Sequence, residues 1–222
     1  MYYNEANKKT FLLIILFLIT ITTTKCNHLQ VYNVEKPIKN PTPHLKSRID
    51  FLKQMPKNAI VVEIGVQKGN FADLILKYTN PKQLYLIDCW EHQSTEIYPG
   101  DSANISNREQ EKLYQNVLRR FKNDKRVTII REYSPEVSNL FDDEFFDWIY
   151  IDANHTYNAV KSDLNAWIKK LKQGGLLSGH DYCSVYSVFG VIRAVNEFLL
   201  NQNLEIKYLT AEKFPSYAIE KK

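Results

Sequence analysis

The chain has 222 residues, 44% of them hydrophobic and 13% aromatic, which is enough for one sizeable core and excludes wholesale disorder. Its 29 basic and 25 acidic residues give a net charge of +4, too even for a protein that grips nucleic acid through a basic face. Cys26, Cys89 and Cys183 are too few for a disulfide framework and have no metal-ligand spacing.

The N-terminus stands apart. Lys8 and Lys9 precede an unbroken apolar run, residues 11–19, that extends through Thr20 and Ile21. A basic lead into a short apolar stretch is the signal-peptide pattern, since a comfortable membrane span needs roughly 17–25 residues. The run has no polar face, which argues against a helix packed on a globular core. Residues 1–26 are therefore expected to be a signal peptide or membrane anchor, giving a membrane-associated or secreted protein. Lys8 and Lys9 before the run, against Lys25 alone just after it, favour a translocated domain. Residues 27–43, with Pro37, Pro41 and Pro43, read as a linker, and residues 44–222 as the domain.

From residue 44 onward two hydrophobic patterns alternate. Short continuous runs predict strands buried on both faces at 59–64, 84–87, 127–130, 146–151 and 176–178. Helical spacing lies between them: Phe71, Leu74, Ile75 and Tyr78; then Val160, Leu164, Trp167, Ile168 and Leu171; then Val191, Ile192, Val195, Phe198 and Leu199. Strand–helix alternation with right-handed crossovers gives an α/β fold with a doubly wound, mostly parallel, Rossmann-like sheet. Residues 205–209 and 216–219 alternate polar and apolar around Pro215, predicting an antiparallel hairpin at the C-terminus.

In such a sheet ligands bind at the carboxyl ends of the strands. The first strand runs into Glu63-Ile-Gly65-Val-Gln-Lys-Gly69, whose glycines let the backbone approach a ligand. Asp88, 23 residues after Gly65, ends the second strand at the distance where a carboxylate accepts ribose hydroxyls. There is no Gly-x-Gly-x-x-Gly pyrophosphate cradle, and Glu63 adds a carboxylate suited to an amino group or a bridging water. Asp152 and Asp181 end two strands expected to be neighbours, with His155 and His180 beside them. Carboxylates there can hold a hard divalent cation, and a histidine can serve as general base. A plain strand-to-helix turn for the glycines and helix caps for the aspartates are the competing structural explanations.

The segments Glu63-Ile-Gly-Val-Gln-Lys-Gly69, Leu86-Ile-Asp88, Tyr150-Ile-Asp-Ala-Asn-His155 and Gly174-Gly-Leu-Leu-Ser-Gly-His-Asp181 resemble class I S-adenosylmethionine-dependent methyltransferases. The likeness is to the small-molecule O-methyltransferase branch that includes macrocin O-methyltransferase-like proteins, and it covers roughly residues 45–220. It implies a seven-stranded sheet in the order 3-2-1-4-5-7-6 with S-adenosyl-L-methionine as cofactor. Glu63, Gly65 and Gly69 would line its methionine end, Asp88 its ribose, Glu132 and Ser134 its adenine. Asp152 and Asp181 match positions where metal-dependent catechol and caffeoyl-coenzyme A O-methyltransferases place ligand carboxylates, for a cation such as magnesium. Tyr182 stands where the catechol type has asparagine, and Gln67 replaces the middle glycine of the commonest first motif.

Methyl transfer from a sulfonium is an in-line displacement governed by positioning. A cation would lower the acceptor hydroxyl's pKa; otherwise His155 or His180 would take the proton, with Asp152 on the acceptor side. No Asn-Pro-Pro-Tyr loop of amide-nitrogen methylators is present, so a small-molecule oxygen is the expected acceptor. The long connection 89–107 is expected to be a substrate lid or an ordinary surface insertion. A nicotinamide-dependent oxidoreductase and a non-catalytic cofactor-binding domain are the alternatives. The basic cluster Arg119, Arg120, Lys122, Lys125 and Arg126 reads as a solvated helix end, not a nucleic-acid site. A homo-oligomer stays open, as does the side of the membrane. Adenosylmethionine is made in the cytosol, and Asn154-His155-Thr156, a glycosylation sequon, lies inside the expected site.

Overall fold

The continuous apolar runs become the inner strands of a single sheet, because side chains pointing to both faces of those strands are covered. The structure, a computed structural model, describes Lys36 and residues 44–222 except 95, 97 and 99; the expected signal peptide or anchor lies outside the described residues. Among the described residues, no helix is long and apolar enough to cross a membrane.

In chain order the elements are β1 (His44–Leu45), α1 (Arg48–Gln54), β2 (Ile60–Ile64), α2 (Asn70–Thr79), β3 (Gln83–Asp88), α3 (Asn107–Phe121), β4 (Val127–Arg131) and α4 (Ser134–Val137). Then come β5 (Phe146–Ile151), α5 (Tyr157–Trp167), β6 (Leu171–Gly179), α6 (Val191–Gln202), β7 (Ile206–Thr210) and β8 (Tyr217–Glu220). The sheet order is β1-β7-β8-β6-β5-β2-β3-β4. Strands β2 to β6 pair in parallel, and β8 is antiparallel to both β6 and β7. The expected seven strands stand in the expected order, extended by the two-residue β1 parallel to β7.

Alternation along each strand divides the core. Val62, Ile64, Ile149 and Leu177 meet α5 and α6 through Leu164, Trp167, Val195 and Phe198. Val61, Leu86, Trp148 and Tyr150 meet α1, α2 and α3 through Phe51, Phe71, Ile75 and Val117. The side chains of both layers are buried, and their burial supplies the main driving force for docking the helices.

One helix and one strand go beyond the sequence expectation. In α3 only Gln110, Val117 and Phe121 are buried, so its apolar periodicity is faint. Its start is nevertheless written as a capping box: Ser106 Oγ accepts from the Glu109 amide (3.4 Å), and the Ser106 amide donates to Glu109 Oε2 (3.2 Å). Strand β6 begins at Leu171, earlier than expected. Leu171 pairs with Phe146, and the register then shifts before Leu176 pairs with Trp148.

Candidate active site

The tip of β2 is shaped by a backbone demand. Gly65 has φ +86°, and a Cβ there would overlap the carbonyl of Asp152 at the tip of β5. Its absence of a side chain lets the β2 and β5 tips close on each other. Gly69, at φ +74°, caps α2, and a Cβ on it would lie 2.8 Å from the Phe121 ring. Gly69 does not line the cavity described below, so its visible role is the packing of α2 against α3.

Asp88 staples this loop. Its Oδ2 accepts from the amides of Val66 (2.9 Å) and Gln67 (2.8 Å), and its Oδ1 from that of Trp90 (2.8 Å). Gln67 and Trp90 are both non-glycine residues held at positive φ, 50° and 42°, and Trp90 Nε1 donates to Gln67 O (3.0 Å). A carboxylate accepting three amides therefore fixes two strained turns at once. Burial raises the Asp88 pKa, opposed by the amides of Gln67, Trp90 and Val66.

A cavity of about 610 Å³ opens along the carboxyl ends of β2, β3, β4 and β5. Of the residues singled out in the sequence, Gly65, Asp88, Glu132, Ser134 and Asp152 line it. Glu63 lies beneath it, 1% exposed, on the α1–α2 face of β2. Its Oε2 has no hydrogen-bond partner among the described residues, and burial with the nearby Asp152 charge pushes its pKa well up. At one end of the cavity Ser134 Oγ donates to Asp163 Oδ1 (2.6 Å) and accepts from Trp167 Nε1 (2.8 Å). Asp163 is 4% exposed, and burial pushes its carboxyl up to about 7.

Beside the other end of the cavity, four of the expected polar groups converge. His155 Nε2 lies 3.0 Å from Asp181 Oδ2 and 3.4 Å from Asp152 Oδ1; His180 Nδ1 lies 3.0 Å from Asp181 Oδ2 and 3.6 Å from Asp152 Oδ2. Asp181 adopts φ +56°, a conformation aspartate tolerates, and ends up 7% exposed. Burial alone would raise its pKa, but hydrogen bonds from His155 and His180 hold it well below the usual carboxylate range. Burial opposes charge on His155, yet its bonds to Asp101, Asp152 and Asp181 push it up to about 11. His155 is thus held as an imidazolium balancing carboxylates, not as a free base. His180 Nε2 is taken by Arg48 Nη2. A guanidinium only donates, so Nε2 accepts and Nδ1 carries the proton that bonds Asp181.

Asp152, His155 and Asp181 each offer one ligand atom, and those atoms lie within 4.8 Å of one another. Two carboxylate oxygens and an imidazole nitrogen form a donor set that fits a divalent cation. The other ring nitrogen of His155 is anchored on Asp101 Oδ2 at 2.7 Å, the outer support that orients ligating imidazoles. Tyr182 takes no part: its ring is buried, and its hydroxyl donates to Asn196 Oδ1 (2.6 Å).

Arg48, Asp101 and Asp163 escaped the sequence reading, whereas Tyr98 lies in the connection expected to be a lid. Arg48 reaches His180 across 132 positions and covers the Phe71 ring at 5.0 Å. Asp101 and Tyr98 come from the long β3–α3 connection, where the Tyr98 hydroxyl donates to Ala153 O (3.2 Å) and Gln93 Oε1 accepts from Asn154 Nδ2 (3.2 Å). Asp163 sits on α5, where its spacing from Val160 and Trp167 marked the apolar face it shares. That face was the one available signal, a carboxylate at a position that packs inward.

Residues 62–182 match the family model described as a methyltransferase domain. No curated protein sequence matches the chain. Among solved structures, a Staphylococcus aureus protein assigned as a caffeoyl-CoA O-methyltransferase is 19% identical, with 94% of this chain and 99% of that chain covered and a TM-score of 0.54. A Streptococcus mutans protein assigned as a methyltransferase, solved with SAH, is 21% identical over 78% of this chain and 95% of its own (TM-score 0.51). Spermidine synthase from Thermotoga maritima is 19% identical over 77% of this chain (TM-score 0.51), and the chain spans only about half, 55%, of its length. At these identities the structures speak for the fold alone. The family match covers more than half of the chain, over the segment that carries the stapled glycine loop, the cavity and the Asp152–Asp181 cluster; the chain belongs to the methyltransferase-domain family, in the class I fold of S-adenosylmethionine-dependent methyltransferases.

Proposed function

We propose that the protein transfers a methyl group from S-adenosylmethionine to an oxygen of a small molecule. The observation that carries this reading is the continuity of the cavity: it runs from Asp163 and Ser134, past the loop stapled by Asp88, to Asp152, where the His155–Asp181 cluster begins. A cofactor laid along it puts its ribose at Asp88, whose Oδ1 keeps a lone pair for a hydroxyl, and its sulfonium toward Asp152. The unpartnered Oε2 of Glu63 supports an amino group or water bound above it. The loop bearing Tyr98 and Asp101 then covers the reacting end and keeps water from it.

Asp152 and Asp181, with Nε2 of His155, would hold a divalent cation. When bound, it would lower the pKa of the acceptor hydroxyl and orient it toward the methyl group. Asp101 holds the His155 ring with Nε2 facing the carboxylates, and Arg48 holds His180 with its proton toward Asp181. The near-neutral domain, 26 basic to 24 acidic residues after position 26, supports a small-molecule acceptor over nucleic acid. Mass spectrometry of the protein incubated with adenosylmethionine and source-cell extract should show a product heavier by one methyl group. A panel that yields methylated nitrogen and no methylated oxygen would sink the oxygen assignment.

We propose also that residues 1–26 act as a signal peptide or anchor, an assignment supported by Lys8, Lys9 and the apolar run 11–19. Protease treatment of sealed vesicles should leave a C-terminal tag intact if the domain is translocated. A tag digested from the cytosolic face rules translocation out.

A further inference from the structure

Residues 182–190, which join β6 to α6, contain no charged side chain, in a protein of which 24% is charged. Val185, Tyr186 and Val188 stand close together there and are 45%, 50% and 40% exposed. None of the three lines the cavity along the strand tips. The segment is held in place at both ends by the reacting cluster. The Cys183 amide donates to Asp181 O (2.7 Å), and the Gly190 amide donates to His155 O (2.8 Å). Between those ends the Tyr186 ring lies 5.0 Å from Phe189 and 6.1 Å from Phe214, stacked on the latter at 13°. Phe189 in turn covers the His155 ring at 4.5 Å. A braced apolar surface left in water is unfavourable, and a cluster of this kind marks an interaction site.

The path of the chain names the occupant. Tyr182, the first residue of the segment, donates to Asn196 Oδ1 (2.6 Å), and Asn196 Nδ2 donates to the Lys36 carbonyl (2.9 Å). Two hydrogen bonds thus tie Lys36 to the root of the apolar loop. Only ten residues lead from Cys26, the end of the expected anchor, to Lys36, and they span at most about 36 Å. An anchored chain therefore keeps this side of the domain within that distance of the bilayer. We infer that residues 184–189 dock on the lipid bilayer that holds residues 1–26, which brings the His155–Asp181 cluster to the membrane surface. This rests on residues 1–26 being retained as an anchor. Tyrosine suits the interface, with an apolar ring for the acyl boundary and a hydroxyl for the headgroups. The loop itself is uncharged, and exposed Glu212 and Lys213 offset each other beside Phe214, so the attraction is apolar and needs no anionic lipid.

The test uses the full chain carrying Tyr186→Trp, inserted into phosphatidylcholine vesicles whose acyl chains are brominated to quench nearby tryptophan. Trp90, Trp148 and Trp167 are fully buried, so the emission gained over the parent chain reports the loop. That emission should shift to the blue and be quenched at least about twofold, because interfacial side chains enter about 5–10 Å into the headgroup and acyl boundary. The quenching should persist at high salt. Leu140 is 73% exposed and follows β4, the strand at the far edge of the sheet, so emission gained from Leu140→Trp should stay unquenched. Adding Val185→Asp and Val188→Asp to the Tyr186→Trp chain should abolish the quenching while the chain still floats with the vesicles. A floating chain in which Tyr186→Trp is unquenched, or no more quenched than Leu140→Trp, overturns the inference alone. Emission that responds to small molecules of the source-cell extract and not to the bilayer does the same, because the loop would then hold the methyl acceptor. A chain that does not float with the vesicles overturns the anchor reading and the inference together.

Discussion

At the scale of single residues, two positions carry the site for different reasons. Gly65 is a steric requirement: a methyl group there meets the Asp152 carbonyl, and φ +86° is disfavoured for any other residue. Gly65→Ala should destabilise the fold by at least about 2 kcal/mol, combining backbone strain with the displaced β5 tip, and thermal denaturation should register the fall. Asp88 is an electrostatic requirement. Asp88→Ala orphans three amides and removes the expected ribose acceptor, so adenosylmethionine affinity should drop at least tenfold, or about 1.5–3 kcal/mol, by calorimetry. Unchanged affinity would remove Asp88 from the cofactor site. Asp152→Ala should abolish turnover and spare most cofactor affinity, because its carboxylate faces the His155–Asp181 cluster; comparable losses in both would place it in the cofactor site instead.

At the scale of elements, the β3–α3 connection matters more than its irregularity suggests. Hydrogen bonds that tie it to the segment after β5 include Asp101 to His155, Tyr98 to Ala153 and Gln93 to Asn154. Asp101→Ala should lower kcat on the order of 10–100-fold, the usual penalty for losing an outer support of a ligating histidine, while adenosylmethionine affinity stays within error. Asp101→Asn, which can still accept from Nδ1, should restore part of the rate; no rescue would mean that the charge matters and not the orientation. Helix α3 anchors the far end of this connection through its capping box and the bond from Gln110 Nε2 to Ala103 O (3.1 Å).

At the scale of the whole molecule, two groups of the site both make stability fall as pH rises, over different ranges. The folded-state pKa of Asp163, about 7, lies above its ordinary 3.8, so the unfolded chain ionises first. Stability should fall as pH rises from about 4 to about 7 and level off above that, and Asp163→Asn should flatten this limb. His155, at about 11 against an ordinary 6.5, contributes stability that is full below about 6.5 and is lost as pH rises toward 11. Urea unfolding across pH measures both. A wild-type curve with no fall between pH 4 and 7 would contradict the burial of Asp163. The thiols of Cys89 and Cys183 are both free, and β3 and β6, whose ends carry them, stand three positions apart in the sheet.

The sequence by itself determined the sheet. Five apolar runs and the alternating tail are local patterns, and their burial on two faces follows from their composition, so the strands and the placing of Asp88, Asp152 and Asp181 at their tips were legible, while the order of the strands came from the family resemblance. It also marked His155 and His180 as neighbours of those tips. What tertiary structure alone decided is how these groups are engaged. Whether a histidine is a free base depends on partners far away in the chain: Asp101 lies 54 positions from His155, and Arg48 lies 132 from His180. Asp163 looked like a polar break in an apolar helix face until α5 docked and carried it to the cavity wall. Hydrophobic periodicity is encoded residue by residue, whereas the charge state and hydrogen-bond capacity of a buried group are set by whichever side chains the fold brings within about 3 Å of it.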